Sequence, residues 1–165
     1  MHMIGISTEA MGYYKNSEGG NWDSMLAWLK ADLAAATTAQ ARSLRPWIVV
    51  HQHRPSYSTD GAELFGAQRE NYQALENLLY QSGVDMVFAG HVHNMERTWP
   101  VYSNGSGLAK VRNGSKVPGD PYANAEAPVY IVSGPSRHSI CHATYFYSTY
   151  AIQSQRSLTG LRRAD

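Results

Sequence analysis

Histidines occur as two closely spaced pairs in this chain, and each pair follows a short apolar run. His51 and His53 form the first pair, and His91 and His93 form the second. On extended backbone, residues two apart point the same way and lie about 6–7 Å from each other. Imidazoles so spaced suit two metal ions about 3.5–4 Å apart, as in two-metal hydrolases, and they bind zinc and iron well. The pattern predicts a metal site containing His53, His91 and His93, with hydrogen-bonded loop histidines as the alternative.

The apolar runs before the histidines are predicted to be buried strands of one sheet. Residues 47–50 and 84–89 lack polar alternation, which is typical of parallel strands covered on both faces. Residues 67–82 show the apolar spacing of a helix, and Gly83 is a common type of residue after a helix end. The resulting βαβ crossover should be right-handed. It should place both histidine pairs at the carboxyl edge of the sheet, where α/β proteins bind ligands.

Capping residues, apolar spacing and turn-forming residues predict the remaining elements. Asn21 predicts the start of a helix over residues 22–36, whose apolar residues form one stripe. After residue 97 no βαβ spacing recurs, so the later strands are predicted to pair in an antiparallel way. The other predictions are a short strand over residues 4–9, a linker over 39–46, polar loops over 56–66 and 104–127, and strands over 98–102, 128–133 and 144–152.

Length, charge and cysteine content narrow the class of protein. A chain of 165 residues with a net charge of +1 suits one folded domain and offers no basic surface for nucleic acid. No apolar run approaches the roughly 20 residues that span a bilayer, so no membrane association is expected. Cys141 is the single cysteine, which excludes an internal disulfide. Residues 1–5 lack the charged and apolar layout of a signal peptide.

Two motifs connect the histidines to a known family. Val50-x-x-His53 and Gly90-His91-x-His93 resemble the last two of the five metal-binding motifs of the purple acid phosphatases, in the metallophosphoesterase superfamily. The resemblance extends over about residues 4–135, and as a combination of motifs it is highly specific. Its other matching stretches are Ser7–Glu9, Trp28–Leu33, Pro46–Val50, His53–Pro55, Glu96–Tyr102 and Pro128–Ile131.

The resemblance implies an α/β fold, as part of a four-layer αββα sandwich with mixed sheets. It also implies a dinuclear centre that pairs Fe(III) with Zn, Mn or Fe(II) and hydrolyses phosphate monoesters through a metal-activated hydroxide. By motif, His53 and His91 would bind the divalent metal and His93 the iron. The implied substrates are phosphorylated small molecules or phosphoproteins, and the implied location is secreted or vacuolar/lysosomal. Asn104 and Asn113 begin N-glycosylation sequons, which agree with that location.

The chain also departs from the family pattern. The first three motifs, D-x-G, G-D-x-x-Y and G-N-H-D/E, supply the aspartates of the family's site, and the sequence contains none of them. Gly119–Tyr122 imitates the second motif, but its tyrosine comes one residue early and lies after the histidines. We therefore expect residues 1–155 to be the carboxy-terminal half of a catalytic domain and residues 156–165 to be a polar tail. Three imidazoles alone could hold only a single divalent metal, such as zinc.

Two other functions remain compatible with the residues. The first is a non-catalytic fragment, or pseudoenzyme, with residual zinc binding, which the missing aspartates favour. The second is a phosphodiesterase or nuclease of the same superfamily, against which the match at Glu96–Tyr102 argues. For an enzyme, His51 is a candidate for touching substrate or supporting a metal ligand, and Arg54 for holding a phosphate. His138 and His142 are expected at the surface, and neither a general acid nor the oligomeric state follows from the sequence.

Overall fold

The computed structural model describes residues 1–11, 21–59, 69–103, 110–111, 122–134 and 152–154, with the backbone alone for 110–111 and 152–154. In chain order, the described strands are β1 (His2–Gly5), β2 (Ile48–Gln52), β3 (Met86–Ala89), β4 (Met95–Thr98), β5 (Val101–Tyr102), β6 (Lys110–Val111), β7 (Val129–Ser133) and β8 (Ile152–Ser154). The described helices are a 3-10 helix at Thr8–Met11 and the α-helices α1 (Trp22–Ala36), α2 (Ala39–Leu44) and α3 (Arg69–Gln81).

Six of the described strands form one mixed sheet in the order β1-β2-β3-β7-β4-β8. β1, β2, β3 and β7 run parallel to one another, whereas β4 runs antiparallel to both β7 and β8. β5 and β6 pair separately in an antiparallel way. The prediction of an α/β fold with a mixed sheet is therefore confirmed.

Helices cover one face of the six-stranded sheet. Ile4, Val50, Val87 and Tyr130 occupy matching positions on four neighbouring strands, and all four are buried. They belong to a core that also contains Leu29 and Leu33 of α1 and Leu75 and Leu79 of α3. Each large apolar side chain that is fully buried contributes about 1.5–3 kcal/mol, so this row of contacts explains why α1 and α3 pack here.

The opposite face of the sheet carries exposed apolar side chains. Met3 is 62% exposed, Met95 51% and Phe88 37%. Val49 and Val129 point to the same face and are buried, so the prediction that the parallel strands are covered on both faces holds only in part for the described residues. The four-layer sandwich implied by the resemblance would set a second large sheet against this open face. The described residues supply the six-stranded sheet with its helix layer and the separate pair of β5 and β6.

The predicted βαβ crossover and the first α-helix are both present. β2, α3 and β3 follow one another in the chain, and β2 pairs with β3 in parallel. α1 begins after Asn21, as predicted, because the Asn21 side chain accepts hydrogen bonds from the N–H groups of Asp23 at 2.9 Å and Ser24 at 3.3 Å. A cap of this type contributes about 1 kcal/mol to helix stability.

The predicted linker over residues 39–46 contains the short helix α2. The Thr38 hydroxyl caps its first turn by accepting a hydrogen bond from the N–H of Ala41 at 3.2 Å. Arg42 then anchors the helix, because its guanidinium donates to the Asp85 carboxylate at 2.8 Å and to two loop carbonyl oxygens. Asp85 lies far along the chain, so the spacing of residues around α2 did not reveal the contacts that stabilise it.

Three strand predictions need correction. The strand predicted over residues 4–9 lies at His2–Gly5, and the 3-10 helix follows it. The strand predicted over residues 98–102 is divided between β4 and β5, which belong to different sheets; Pro100 lies between them and has no N–H for a strand ladder. β7 is parallel to β3 as well as antiparallel to β4, so the prediction of antiparallel pairing was only half right.

Several predictions lie outside the described residues. They concern Asn104, Asn113, the motif-like residues Gly119 and Asp120, His138, His142, most of the strand predicted over residues 144–152, and the polar tail over residues 156–165.

Candidate active site

β2 and β3 end side by side at the carboxyl edge of the sheet. Gln52 of β2 is in register with Ala89 of β3. Just beyond them, the N–H of Gly90 donates to the carbonyl oxygen of His53 at 3.0 Å. Because parallel strands in register end at the same level, the segments that begin at His53 and His91 start next to each other.

His53 and His91 are in direct contact at this edge. His91 Nδ1 lies 3.1 Å from His53 Nε2, and the two ring centroids are 4.9 Å apart at an interplanar angle of 73°. The backbone φ of His91 is 64°, in the left-handed region that residues other than glycine seldom adopt. Such strained conformations concentrate at functional sites. These two histidines therefore meet as predicted, while their role as metal ligands stays a prediction.

Arg54 and Glu9 join the two histidines in what we call the His–Arg–Glu cluster (Glu9, His53, Arg54 and His91). Arg54 Nη1 lies 2.9 Å from His91 Nε2, and Arg54 Nε donates to Glu9 Oε1 at 2.7 Å. Glu9 Oε1 is 3.8 Å from His53 Nε2. The backbone N–H of Arg54 donates to the buried Thr8 hydroxyl at 2.7 Å, which ties the arginine to the segment after β1.

Glu9 was not among the predicted site residues. It lies in the 3-10 helix directly after β1, and β1 is parallel to β2, so both strands end at the same edge. The signal that could have found it is the polar run Ser7–Glu9 after the end of a short strand. The same rule that led to the histidines applies to this run, because polar residues after parallel strands lie where ligands bind.

The contacts in the cluster assign the ring protons of both histidines. A guanidinium has donors only, so His91 Nε2 accepts from Arg54, and a neutral His91 ring carries its proton on Nδ1. His91 Nδ1 then donates to His53 Nε2, which places the His53 proton on its own Nδ1. The lone pairs of both Nε2 atoms are thus engaged inside the cluster.

His51 and His93 lie at other positions. His51 belongs to β2 and points to the open face of the sheet, where its Nε2 lies 3.0 Å from the place a Cβ on Gly5 would take. His93 is exposed. Within the described part of the chain, no three or more His, Cys, Asp or Glu side chains form a group that could hold a metal ion. Of the five predicted site residues, His53, Arg54 and His91 are in contact with one another. His51 and His93 take no part in these contacts.

The cluster does not meet the needs of two metal ions. Two metals require roughly ten ligand positions, with oxygen donors for iron. The cluster offers two imidazoles and one carboxylate, and this carboxylate is hydrogen-bonded to Arg54. Fe(III) paired with Zn, Mn or Fe(II) therefore does not fit the described residues by themselves. Two imidazoles and a carboxylate are a donor set that single zinc ions use, but as they lie these side chains do not converge on one point.

A buried carboxylate holds the two loops of the site together. Glu96 of β4 is buried and accepts hydrogen bonds from the Ser58 hydroxyl at 3.1 Å and from the Thr59 N–H and hydroxyl at 2.9 and 2.7 Å. It also accepts one from the side-chain amide of Asn94. Ser58 and Thr59 follow Arg54 in the chain, and Asn94 lies in the loop after β3. Glu96 thus links the loop that begins with His53 to the loop that contains His91.

Gly134 supports the second histidine pair through close backbone packing. Its N–H donates to the carbonyl oxygen of Asn94 at 3.1 Å. A Cβ at position 134 would overlap the carbonyl oxygen of Val92 and lie 2.8 Å from its carbonyl carbon and 3.0 Å from His93 Cα. Only glycine fits without moving this loop, so the position of the His91–His93 segment depends on Gly134.

A second buried carboxylate, Glu76 of α3, anchors the loop after β2 from the helix layer. It accepts hydrogen bonds from the Tyr57 hydroxyl and from the N–H of Ser103, the latter at 2.9 Å. The Tyr57 ring packs edge-on against Tyr130 of β7, with centroids 4.7 Å apart. Burial, with smaller contributions from Tyr130 and Glu76, raises the pKa of Tyr57 far above its ordinary value, and burial does the same to the pKa of Tyr130. Both phenols therefore keep their protons at neutral pH.

Comparison with known proteins connects this geometry to a family. Residues 6–95 match the calcineurin-like phosphoesterase family. The chain is 36% identical over 145 residues to acid phosphatase type 7 of Danio rerio, covering 81% of this chain and 31% of that protein. It is 41% identical over 101 residues to purple acid phosphatase 21 of Arabidopsis thaliana, covering 61% of this chain and 22% of that protein.

Among solved structures, the chain is similar to purple acid phosphatase PPD1 from yellow lupin (Lupinus luteus) seeds, with 26% identity and a TM-score of 0.47 over 70% of this chain and 18% of that chain. The chain spans less than a third of the length of these curated relatives, at 31% and 22%. The predicted resemblance is confirmed by the relatives named acid and purple acid phosphatases. Because the family match covers more than half of its residues, the chain belongs to the calcineurin-like phosphoesterase family.

Proposed function

We propose that this chain forms part of the active site of a metal-dependent phosphatase that hydrolyses phosphate monoesters. The observation that carries the proposal is the convergence of His53, His91 and Arg54 at the carboxyl edge of the sheet. Imidazoles are metal ligands and a guanidinium matches phosphate oxygens, so the cluster combines groups that this reaction needs. Membership of a phosphoesterase family and similarity to acid phosphatases support the reaction class.

Each residue of the site has a proposed role. Arg54 is always charged, and its fork of donors would hold two phosphate oxygens. His53 and His91 would bind a divalent metal through ring nitrogens, and His93 would reach a second metal, as the resemblance implies. A metal held by these residues would act as a Lewis acid that activates water and offsets the charge that develops on the phosphate. His51, on the open face of the sheet, is proposed to touch the substrate or to support a metal ligand.

The remaining ligands of a dinuclear centre are proposed to lie in additional sequence. The described cluster has one carboxylate, and the chain spans less than a third of the curated relatives, at 31% and 22% of their lengths. We propose that such sequence supplies the aspartates. Residues 1–155 would then be the carboxy-terminal half of the catalytic domain.

Phosphorylated small molecules or phosphoproteins are the proposed substrates. A net charge of +1 gives no reason to propose nucleic acid as a partner. A secreted or vacuolar/lysosomal location is proposed as well, with Asn104 and Asn113 as glycosylation sites. Across the ranges that the structure describes, none of the helices has the length and apolar content needed to cross a membrane.

A non-catalytic zinc-binding fragment is the second candidate function. The observation that favours it is that the described residues contain no ready group of three metal ligands. In this case the isolated chain would bind zinc weakly and would not turn over a phosphate ester. The two candidates differ in catalysis and share His53 and His91 as ligands.

Hydrolysis of para-nitrophenyl phosphate by the purified chain with added Zn²⁺ tests the proposal, with metal content measured on the same samples. His91→Ala is expected to lower the rate by about tenfold or more and to lose bound zinc. His2→Ala is the matched control, because His2 lies in β1 away from the cluster and bonds Asp32 at 2.7 Å. Equal rates for the wild type and His91→Ala would contradict the phosphatase role. Zinc bound through His91 without turnover would support the non-catalytic candidate.

A further inference from the structure

We propose that the open face of the six-stranded sheet binds an extended, apolar polypeptide strand from outside these 165 residues, and that this strand places a carboxylate against Arg97. The observation that carries the inference is a guanidinium without an acid partner on a surface that is otherwise largely apolar. The inference uses none of the residues of the His–Arg–Glu cluster, so it does not depend on the catalytic role proposed above. A second sheet on this face would meet the proposal only if one of its strands presents that carboxylate.

The register of the strands places Arg97 on the open face. Arg97 of β4 is in register with Ile131 of β7, which is in register with Phe88 of β3. Residues in register point to the same face of a sheet, so Arg97 shares its face with the exposed Phe88 side chain. Met95, two residues before Arg97 on β4, points the same way and is also exposed. The guanidinium thus projects from a surface with large apolar side chains on either side of it.

The guanidinium of Arg97 is not neutralised within the described part of the chain. It forms no ion pair with a carboxylate and no side-chain hydrogen bond there. Its Nε is fully enclosed and still has no acceptor. A buried donor without an acceptor lowers stability, and the cost is larger for a charged group. A cation at this position is therefore expected to gain stability when a partner supplies an acid.

Two aromatic side chains hold the guanidinium in position. Arg97 Cζ lies 4.5 Å from the centroid of the Tyr122 ring, and the Trp99 ring stacks on Tyr122 with centroids 5.6 Å apart and planes at 10°. A contact with a ring face leaves the edge of a guanidinium, which carries its donors, available to an acceptor. The terminal nitrogens Nη1 and Nη2 are not enclosed as Nε is, so a carboxylate can reach them. Because the side chain is already held, it loses little freedom when the acid binds.

The residues of the open face favour an acidic polypeptide over other occupants. The described strand residues that point to this face include no Asp or Glu, so a second copy of the chain would offer Arg97 no partner there and would bring like charges together. Nucleic acid needs several cations, whereas the net charge of the chain is +1. A strand presents apolar side chains at every second position, which suits packing of one sheet on another, and one acidic side chain in that row would meet Arg97.

Selection of a displayed library of peptides of about nine residues, the length of a long strand, on the purified chain tests the inference. Enriched peptides should carry Asp or Glu between apolar residues. Changing this residue to Asn or Gln in the synthetic peptide should weaken binding by about tenfold, and Arg97→Met should weaken it by the same factor. Arg45→Met removes an exposed charge at the end of α2 and is the matched control, with an unchanged affinity. Arg97→Glu should instead favour Lys at the acidic position of the peptide.

The methionines report which face a peptide covers. Met3, Met86 and Met95 point to the open face, whereas Met11 belongs to the core under the helices and Met25 packs against that core. When a selected peptide binds the wild-type chain, the methyl NMR signals of the first three should shift and those of the other two should stay in place. This readout and the change in the peptide both use the wild-type protein, so they stand even if a variant of Arg97 fails to fold.

Several results would overturn the inference. Selection might yield no binder, binders without an acidic residue, or binders that Arg97→Met holds as tightly as the wild type does; each of these removes the role of Arg97. Arg97-dependent binding to phosphatidylserine vesicles would assign the face to a membrane surface. A dimer in sedimentation analysis that shifts the Met95 methyl signal would assign the face to a second copy. Failure of the phosphatase assay with His91→Ala would leave the inference untouched, because the peptide assays measure no catalysis.

Discussion

Replacing Glu96 by glutamine should weaken the connection between the two loops of the candidate site. The Glu96 carboxylate accepts hydrogen bonds from three residues, Ser58, Thr59 and Asn94, and all of the contacting groups are donors. Glutamine keeps one acceptor oxygen and replaces the other by an NH₂ group. At least one donor, such as the Thr59 N–H, would then face another donor at a partly buried position.

The size of the effect follows from the number of donors. A hydrogen bond to a charged group contributes about 1.5–3 kcal/mol, and an unsatisfied buried donor costs about 1–3 kcal/mol. Glutamine is neutral, so the variant no longer carries the cost of burying a charge at position 96. The net loss of stability is therefore smaller than the sum of the two terms above. We therefore expect the free energy of unfolding to fall by about 2–4 kcal/mol. Urea denaturation followed by circular dichroism measures this change.

Two comparisons make the Glu96 result specific. Glu126→Gln is the matched control, because Glu126 is exposed, and its effect should stay within about 0.5 kcal/mol. A double-mutant cycle of Glu96→Gln with Thr59→Ala should give a coupling of about 1–2 kcal/mol, since the two side chains are 2.7 Å apart. Hydrogen exchange should also speed up at the Thr59 amide. The reasoning would be refuted if Glu96→Gln changed the free energy of unfolding as little as the control Glu126→Gln does.

Further predictions concern packing, ion pairing and pH. Gly134→Ala should lower the unfolding free energy by about 1–3 kcal/mol because its Cβ would overlap backbone, and calorimetry should show it as a lower Tm. Arg42→Met should cost about 1–3 kcal/mol in urea denaturation, since it leaves the Asp85 carboxylate without its guanidinium partner. Tyr130→Phe removes a buried hydroxyl that has no hydrogen-bond partner among the described residues, so stability should stay equal or rise. The pKa values of Tyr57 and Tyr130 are raised, so the folded chain keeps both protons at pH values where the unfolded chain has lost them. The free energy of unfolding should therefore stay constant below about pH 10 and fall above it. The fall should be less steep in Tyr130→Phe, which has one of these two groups fewer.

The elements that local residues determine were predictable from the sequence. α1 has a capping side chain at Asn21 and an apolar stripe, and both are visible within its own residues. β2, α3 and β3 carry a strong apolar pattern in the right order, so their parallel pairing could be inferred. α2 was missed because Arg42 stabilises it through a residue much later in the chain. The division of residues 98–102 was missed because the apolar pattern outweighed the break at Pro100.

The candidate site also combines contacts that the sequence predicted with contacts that it did not predict. The contact between His53 and His91 could be predicted because each follows a parallel strand, and neighbouring strands end together. The link from Arg54 to Glu9 could not, because it depends on the 3-10 helix that turns Glu9 back toward the sheet after β1. The left-handed backbone of His91 could not be predicted either, because the spacing of residues in a sequence does not indicate the φ angle of one residue.

The left-handed backbone of His91 is a cost that the folded chain carries at this residue. A side chain in this conformation costs roughly 1–2 kcal/mol relative to glycine, so His91→Gly should relax the backbone while it deletes the imidazole. The same substitution removes the ring contacts with Arg54 and His53, which offsets part of the relief. The strain at residue 91 therefore persists because the neighbouring side chains hold the ring in place.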